Sequence, residues 1–225
     1  MAYDTNVIVQ FLTGSADGII TTGTGSLQTK LGIGDDHVVT VNFCGNRPFG
    51  IPPVKRQELS MALGFLTTQS RLYLRGHGDW QNRTLGGWSA REVAGALRQN
   101  GLAISPQMVS VTGCQCARAG APGVEGRTYN TDFFQKQAAN QLLLEKSVHS
   151  FAGLLHDRLG RLGILSPVYG RVFSVTIVGD NDEHLMVGQK ITALPNGDEK
   201  NHRRYSKILF TRKQGQAVQE WVDYT

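Results

Sequence analysis

The sequence predicts an α/β fold in which a central, mainly parallel sheet is flanked by helices and followed by a C-terminal β-hairpin. Three features predict it. Short valine- and isoleucine-rich runs recur along the chain, separated by stretches with helical spacing or a helix-capping signal. Two of these runs stop at a glycine beside a reactive side chain, as strands of an open α/β sheet do at their carboxyl ends. Alternation of strand and helix, without a repeat or a long linker, favours one layered unit over separate all-β and all-α parts.

The elements follow in order. Asn6-Val-Ile-Val-Gln-Phe11 reads as a buried first strand and His37-Val-Val-Thr-Val-Asn-Phe43 as a second. The Gly/Thr/Ser-rich segment from Thr13 to Lys30 between them reads as a loop. Gly50-Ile-Pro-Pro is a turn signal, and Gln57 to Leu63 reads as a short helix. Arg71-Leu-Tyr-Leu-Arg75 is a third strand, stopped by Gly76-His77-Gly78. Ser89-Ala-Arg-Glu92 has the form of a capping box, with Val93, Ala96 and Leu97 as the buried stripe and Gly101 as the stop. Met108 to Thr112 is the fourth strand, ended by Gly113-Cys114. A Gly/Ala-rich loop from Ala117 to Arg127 leads into one helical stretch from Asp132 to about Gly160, and Val172 to Val178 is the fifth strand. The tail, with a Pro195-Asn-Gly-Asp turn and Ile208-Leu-Phe210, reads as the hairpin.

Bulk properties narrow the classes of function. At 225 residues, 40% hydrophobic and 18% charged, the chain makes one folded domain rather than a disordered segment. We expect a core over residues 3–180 and a basic hairpin flap over 186–225. No apolar run reaches the ~20 residues that span a bilayer, and Met1-Ala2-Tyr3-Asp4-Thr5 lacks the layout of a signal peptide. Cys44, Cys114 and Cys116 are a poor disulfide framework, and Cys114-Gln-Cys116 lacks the spacing of a structural zinc site, so no metal is expected. The net charge of +5 and the pI near 9.2 come with interspersed acidic residues and no nucleic-acid motif, so nucleic acid is not an expected partner. Lys200, Arg203, Arg204, Lys207, Arg212 and Lys213 do cluster near the end, and such a cluster can hold a polyanion.

The chemistry sits at two strand ends, Leu74-Arg-Gly-His77-Gly78 and Val111-Thr-Gly-Cys114. A helix from Ala90 to Asn100 would cross over between them and lay the strands side by side. That arrangement suits acyl transfer: a Cys114 thiolate attacks a carbonyl, His77 protonates the leaving amine, and the N–H groups of Gly78 and Cys114 face the oxyanion. Taken singly, a Gly-His-Gly is most often a turn and a lone cysteine a small buried hydrophobe. The pairing across one strand–helix–strand unit is what points to function. Cys116 is a rival nucleophile, because two residues along an extended chain the side chain returns to the same face. Cys114 is preferred because it follows directly on the strand and its glycine.

The ordered blocks around this pair resemble the autoprocessing cysteine peptidase domains of large bacterial toxins. These are the multifunctional autoprocessing repeats-in-toxin proteins and the large clostridial glucosylating toxins, members of the caspase-like clan. The resemblance runs over most of the chain. It covers Tyr3-Asp4 with Val7-Ile-Val-Gln10, Arg71 and Gly-His-Gly, Thr84-Leu-Gly-Gly-Trp-Ser-Ala, and Val109-Ser-Val-Thr-Gly-Cys114. It continues through the Phe151-to-Gly163 helix, Gly188-Gln-Lys190, Asn196-Gly-Asp198 and Lys207-Ile-Leu-Phe.

The resemblance implies a caspase-like layered fold and a thiol protease that cleaves itself or a partner protein, usually after leucine. It further implies a secreted bacterial protein acting in the host cytosol, switched on allosterically by inositol hexakisphosphate. By the same resemblance Lys30, Arg71, Lys190 and Lys207 are phosphate ligands. His202 stands where the family has lysine and Gln189 where it has arginine, with Arg203 and Arg204 as replacements for the missing charge. Asp4 and Asp17 are the candidates for a third catalytic carboxylate, as found in some relatives. A catalytically silent polyphosphate-binding module is the alternative, since the altered basic positions leave room for it.

Overall fold

A computed structural model of the chain describes residues 3–13, 18–42, 51–119, 137–172, 174–178, 182–187, 190–191 and 207–222. The strands of the main sheet are β1 (Asn6–Leu12), β2 (Val38–Asn42), β3 (Arg71–Arg75), β7 (Met108–Val111), β8 (Val168–Arg171), β12 (Lys207–Lys213) and β13 (Gln216–Trp221). They lie in the order β13-β12-β8-β7-β3-β1-β2. The five from β2 to β8 are parallel; β12 and β13 join antiparallel. The described residues also form two small three-stranded sheets. One holds β4 (Gly78–Asp79), β5 (Thr84–Leu85) and β6 (Trp88–Ser89), the other β9 (Ser174–Val178), β10 (Asp182–Val187) and β11 (Lys190–Ile191). The predicted layered α/β class is the observed one.

Among the described residues the α-helices are α1 (Gly18–Leu31), α2 (Pro53–Gly64), α3 (Ala90–Gln99), α4 (Gln137–Lys146) and α5 (Phe151–Arg161). Strand alternation divides the sheet into two chemically different faces. Val7, Val9 and Phe11 of β1, Leu72 and Leu74 of β3, Val109 and Val111 of β7, and Val168 of β8 join one buried cluster with residues of α2, α3 and α5. Each fully buried Val, Leu or Phe of this kind contributes roughly 1.5–3 kcal/mol of transfer free energy. The intervening positions Arg71, Tyr73, Arg75, Ser110, Tyr169 and Arg171 face the other side, beside Leu27 of α1. From β1 the chain passes to β2 on one side and then returns to β3 on the other, so the winding reverses between β1 and β3. The carboxyl ends beside such a reversal are where open α/β sheets form their crevices.

Several local expectations change. The segment from Thr13 to Lys30, expected as a loop, contains helix α1. Its hydroxyls turn back onto the helix: Thr24 donates to the Ile20 carbonyl at 2.9 Å, Ser26 to Thr22 at 3.0 Å and Thr29 to Gly25 at 3.0 Å. The parallel pairing of β1 with β2 needs a crossover there, and this tertiary demand outweighs weak helix propensity. Over its described part, from Gln137, the single helix expected from Asp132 to Gly160 is two helices with a 3-10 turn (Ser147–His149) between them. The break is at Ser150, whose hydroxyl caps α5 by accepting from the Gly153 N–H at 3.2 Å.

The fifth strand of the main sheet, expected over Val172–Val178, is Val168–Arg171, which pairs with β7, and Ser174–Val178 belongs to the separate β9-β10-β11 sheet. The C-terminal hairpin is formed by β12 and β13 around Gln214-Gly215, and it extends the main sheet through β8. Pro195-Asn-Gly-Asp lies outside the described residues. The capping box at Ser89–Glu92 is present as expected.

Candidate functional site

β3 and β7 are adjacent and parallel, with Leu74 opposite Val111, and Thr112 N–H donates to the Leu74 carbonyl at 2.9 Å. His77 and Cys114 therefore occupy equivalent positions, each three residues beyond a paired strand residue. The two loops then touch. A methyl group on Gly78 would collide with the Cys114 carbonyl oxygen and lie 2.7 Å from the Cys116 sulfur. One on Gly113 would lie 2.9 Å from the Gly76 carbonyl oxygen and 2.7 Å from the same sulfur. Only glycine lets these main chains approach so closely. The two candidate oxyanion residues, Gly78 and Cys114, are thus in direct backbone contact.

Each loop is also held from its own side. The His77 carbonyl accepts from the Gly86 N–H at 2.7 Å, and Gly78 pairs with Leu85 in the β4-β5-β6 sheet. Trp88 of β6 packs edge-on against Phe11 of β1, with ring centroids 5.6 Å apart, which anchors that sheet to the core. On the other loop, Gln115 adopts a left-handed φ of 54°, uncommon for a residue with a side chain. The turn is fixed by hydrogen bonds from Arg118 N–H to the Gln115 carbonyl at 2.9 Å and from Ala117 N–H to the Arg171 carbonyl at 2.7 Å. A third runs from Ala152 N–H, at the start of α5, to the Cys116 carbonyl at 2.9 Å.

Burial separates the two cysteines. Cys114 is partly exposed, whereas Cys116 is buried among the core residues. Burial pushes the Cys116 thiol far up from its ordinary range, and the neighbouring Cys114 adds to this. A thiol kept protonated is a poor nucleophile. His77 is exposed at the mouth of the same loops. Cys44 lies outside the described residues.

Asp4, one candidate for a third carboxylate, lies away from His77 and Cys114. Asp4 precedes β1 at the amino edge of the sheet, and its N–H donates to the Gln69 carbonyl at 3.4 Å. Its carboxylate accepts from Thr67 Oγ1 at 2.5 Å and Ser70 Oγ at 2.8 Å, and these bonds hold its pKa below the ordinary value. The length of β3 separates it from His77 by roughly 20 Å, at ~3.3 Å per residue. Its work is to tie the chain start to the turn before β3. Asp17 lies outside the described residues.

A basic cavity of about 150 Å³ opens on the polar face of the sheet. Arg71 and Arg75 of β3, Arg171 of β8 and Lys207 of β12 line it, with Tyr73, Tyr169, Ser110 and Thr112, and no acidic side chain is among the described lining residues. Arg71 donates through Nε to Ser110 Oγ at 2.8 Å, and its guanidinium lies 4.6 Å from the Tyr73 ring centroid and 5.2 Å from that of Tyr3. The aromatic faces and the hydroxyl hold the guanidinium in place. Burial pushes the Tyr169 phenol up, Tyr3 adds to this and Arg71 opposes it.

Of the expected phosphate ligands, Arg71 and Lys207 meet in this cavity. Lys30 is not among its lining residues; it is exposed near the end of α1, one turn beyond Leu27, which does line it. Lys190 is in β11, and its side chain, like His202, Arg203 and Arg204, is outside the described residues. Arg75 and Arg171 were missing from the sequence reading. The signal was available in Arg71-x-Tyr73-x-Arg75 and Tyr169-x-Arg171, because period-two spacing sends each set to one face of a strand.

Among the described residues, no three of His, Cys, Asp and Glu gather closely enough to hold a metal ion, and no helix is long and apolar enough to cross a membrane. No protein-family model matches the chain, and no curated protein matches it.

Proposed function

We propose that the chain is a cysteine endopeptidase in which Cys114 is the nucleophile and His77 its acid–base partner. The observation that carries this reading is the contact of Gly78 with the Cys114 backbone at the carboxyl ends of two neighbouring parallel strands. The partial exposure of Cys114, set against the buried Cys116, supports the choice of nucleophile.

In the reaction, the Cys114 thiolate forms a C–S bond to the scissile carbonyl carbon, and the carbonyl electron pair moves onto oxygen. The Gly78 and Cys114 N–H groups are the donors for that oxyanion. Collapse breaks the C–N bond as His77 delivers a proton to the leaving amine. Water, deprotonated by His77, then hydrolyses the thioester and restores the thiolate.

The reading extends to control by inositol hexakisphosphate, which we assign to the basic cavity. Its guanidinium, ammonium and hydroxyl donors suit phosphate oxygens. The strands that furnish Arg71, Arg75 and Ser110 run on directly into His77 and Cys114. Ligand drawn onto β3, β7, β8 and β12 steadies both catalytic loops from below. The biological setting in this reading is a bacterial toxin domain or effector, autoprocessing or cleaving a partner after leucine, in the host cytosol. The same cavity also favours a second reading, a catalytically silent polyphosphate-binding module.

Hydrolysis of leucine-containing peptides by the wild-type chain, with and without inositol hexakisphosphate, tests the assignment. The expected result is ligand-stimulated cleavage that His77→Ala and Cys114→Ala abolish and Cys116→Ala largely retains. Cleavage lost only with Cys116→Ala overturns the nucleophile. Polyphosphate binding without any cleavage establishes the silent module instead.

A further inference from the structure

Two loops must be held in register for a dyad to work, and the strand ladder stops short of both of them. β3 ends at Arg75 and β7 at Val111, so His77 and Cys114 both lie beyond the last paired residues. Past the Gly78 contact the chains diverge. The His77 loop continues into a tight turn in which Asp79 accepts from Gln81 N–H at 2.9 Å, Asn82 N–H at 3.0 Å and Asn82 Nδ2 at 2.6 Å. Arg83 completes that turn with a left-handed φ of 57°. The Cys114 loop turns at Gln115 and arrives at Arg118.

At this point the loops meet again. The Arg118 guanidinium lies 4.5 Å from the centroid of the Trp80 ring. Arg118 is only 5% exposed, so the cation is largely withdrawn from water, where its attraction to the indole face is strongest. Trp80 stands three residues after His77 and Arg118 four after Cys114, and each is fixed by the turn that bears it.

We propose that Trp80 and Arg118 form a clamp that joins the two catalytic loops and sets the position of His77 relative to Cys114. The proposal rests on the dyad reading above, and it makes Trp80 and Arg118 positioning residues that act through the dyad. The glycine contacts at Gly78 and Gly113 bring the bases of the loops together; the clamp adds a contact farther out, between the limbs that continue beyond His77 and Cys114. Loss of the clamp therefore disturbs geometry at the reacting groups, where misplacement on the ångström scale costs up to about 10²-fold in rate.

Alkylation of the cysteines by limiting iodoacetamide, mapped by mass spectrometry, reads the site without a substrate. In the wild type Cys114 reacts ahead of Cys116, and His77→Ala slows it; absence of that dependence on His77 overturns the dyad itself. With the dependence present, Trp80→Ala is expected to slow Cys114 alkylation about 10-fold and to lower kcat by about 10- to 100-fold, with KM within about twofold. Trp80→Phe, which keeps a ring face, restores most of both. Arg118→Met keeps the apolar stem, removes the cation and is expected to match Trp80→Ala; it carries the test if Trp80→Ala does not fold. Wild-type alkylation and kcat in Trp80→Ala or Arg118→Met overturn the clamp. Equal losses in Trp80→Ala and Trp80→Phe do so too, because the ring face would then be irrelevant.

Discussion

Gly78→Ala probes the contact on which the site depends. The added methyl would lie 2.7 Å from the Cys116 sulfur and 2.8 Å from the Cys114 carbonyl carbon, besides overlapping the carbonyl oxygen. Comfortable separations for such atoms are about 3.5–4 Å, and the overlap with the carbonyl oxygen is the worst of the three, so the loops must part by well over ~1 Å. The obstacle is main chain and cannot rotate away as a side-chain tip could. Overpacking of this kind costs about 1–3 kcal/mol. At about 2–4 °C per kcal/mol for a chain of this size, Tm should fall by about 2–12 °C. Peptide cleavage should fall further, by about 10²-fold, because the displacement occurs between the two reacting residues. Gly95→Ala is the matched control: the site is on α3, with nothing within 4 Å of the new methyl. There alanine should raise stability by up to about 1 kcal/mol and leave cleavage unchanged. Thermal melting and initial-rate assays on both variants decide the matter. A Gly78→Ala protein with wild-type Tm and rate would refute the argument that these loops touch.

Arg171→Met and Lys207→Met should each weaken inositol hexakisphosphate binding by about 10- to 100-fold in calorimetry, as loss of a hydrogen bond to a charged group costs about 1.5–3 kcal/mol. Lys30→Ala should change it less than about twofold, and the reverse ranking would contradict assignment of the ligand to this cavity. His156 on α5 is buried, and its pKa is held below the ordinary 6.5, first by burial and then by the Arg212 cation, with Asp157 opposing. The unfolded chain binds a proton there at higher pH than the folded chain does. Stability from this group is therefore full above pH 6.5 and declines as pH falls from 6.5 toward the lower folded value. His156→Leu should flatten the dependence of Tm on pH across that window, and an unchanged slope would exclude His156 as its source.

The fold was legible where local and tertiary preferences agree. The Ser89–Glu92 capping box, the apolar run of β3 and the glycines after Arg75 and Thr112 each indicate one structure, and the adjacency of β3 and β7 follows from the crossover helix between them. Helix α1 was illegible because threonine, serine and glycine dominate it; only the crossover between parallel β1 and β2 makes that segment helical. The break at Ser150 was equally hidden, since apolar residues continue at helical spacing on both sides of a single capping serine.

At the site, the placement of His77 and Cys114 at the ends of neighbouring strands was readable from the sequence. The different burial of Cys114 and Cys116 was not, because it depends on the turn through Gln115 rather than on spacing. The position of Asp4 could not be read from the sequence, because nearness to β1 says nothing about which end of the sheet a residue occupies. Arg75 and Arg171 were passed over because each adjoins a more conspicuous residue, yet their alternation with Arg71 and Tyr169 placed them on the polar face all along.

The most direct test of the dyad is a leucyl peptide bearing a thiol-reactive electrophile at the position of the scissile carbonyl, incubated with the chain and inositol hexakisphosphate and mapped by mass spectrometry. One adduct is expected, on Cys114, forming faster with the polyphosphate and lost in His77→Ala. An adduct on Cys116, or labelling of Cys114 that His77→Ala leaves unchanged, would contradict the dyad.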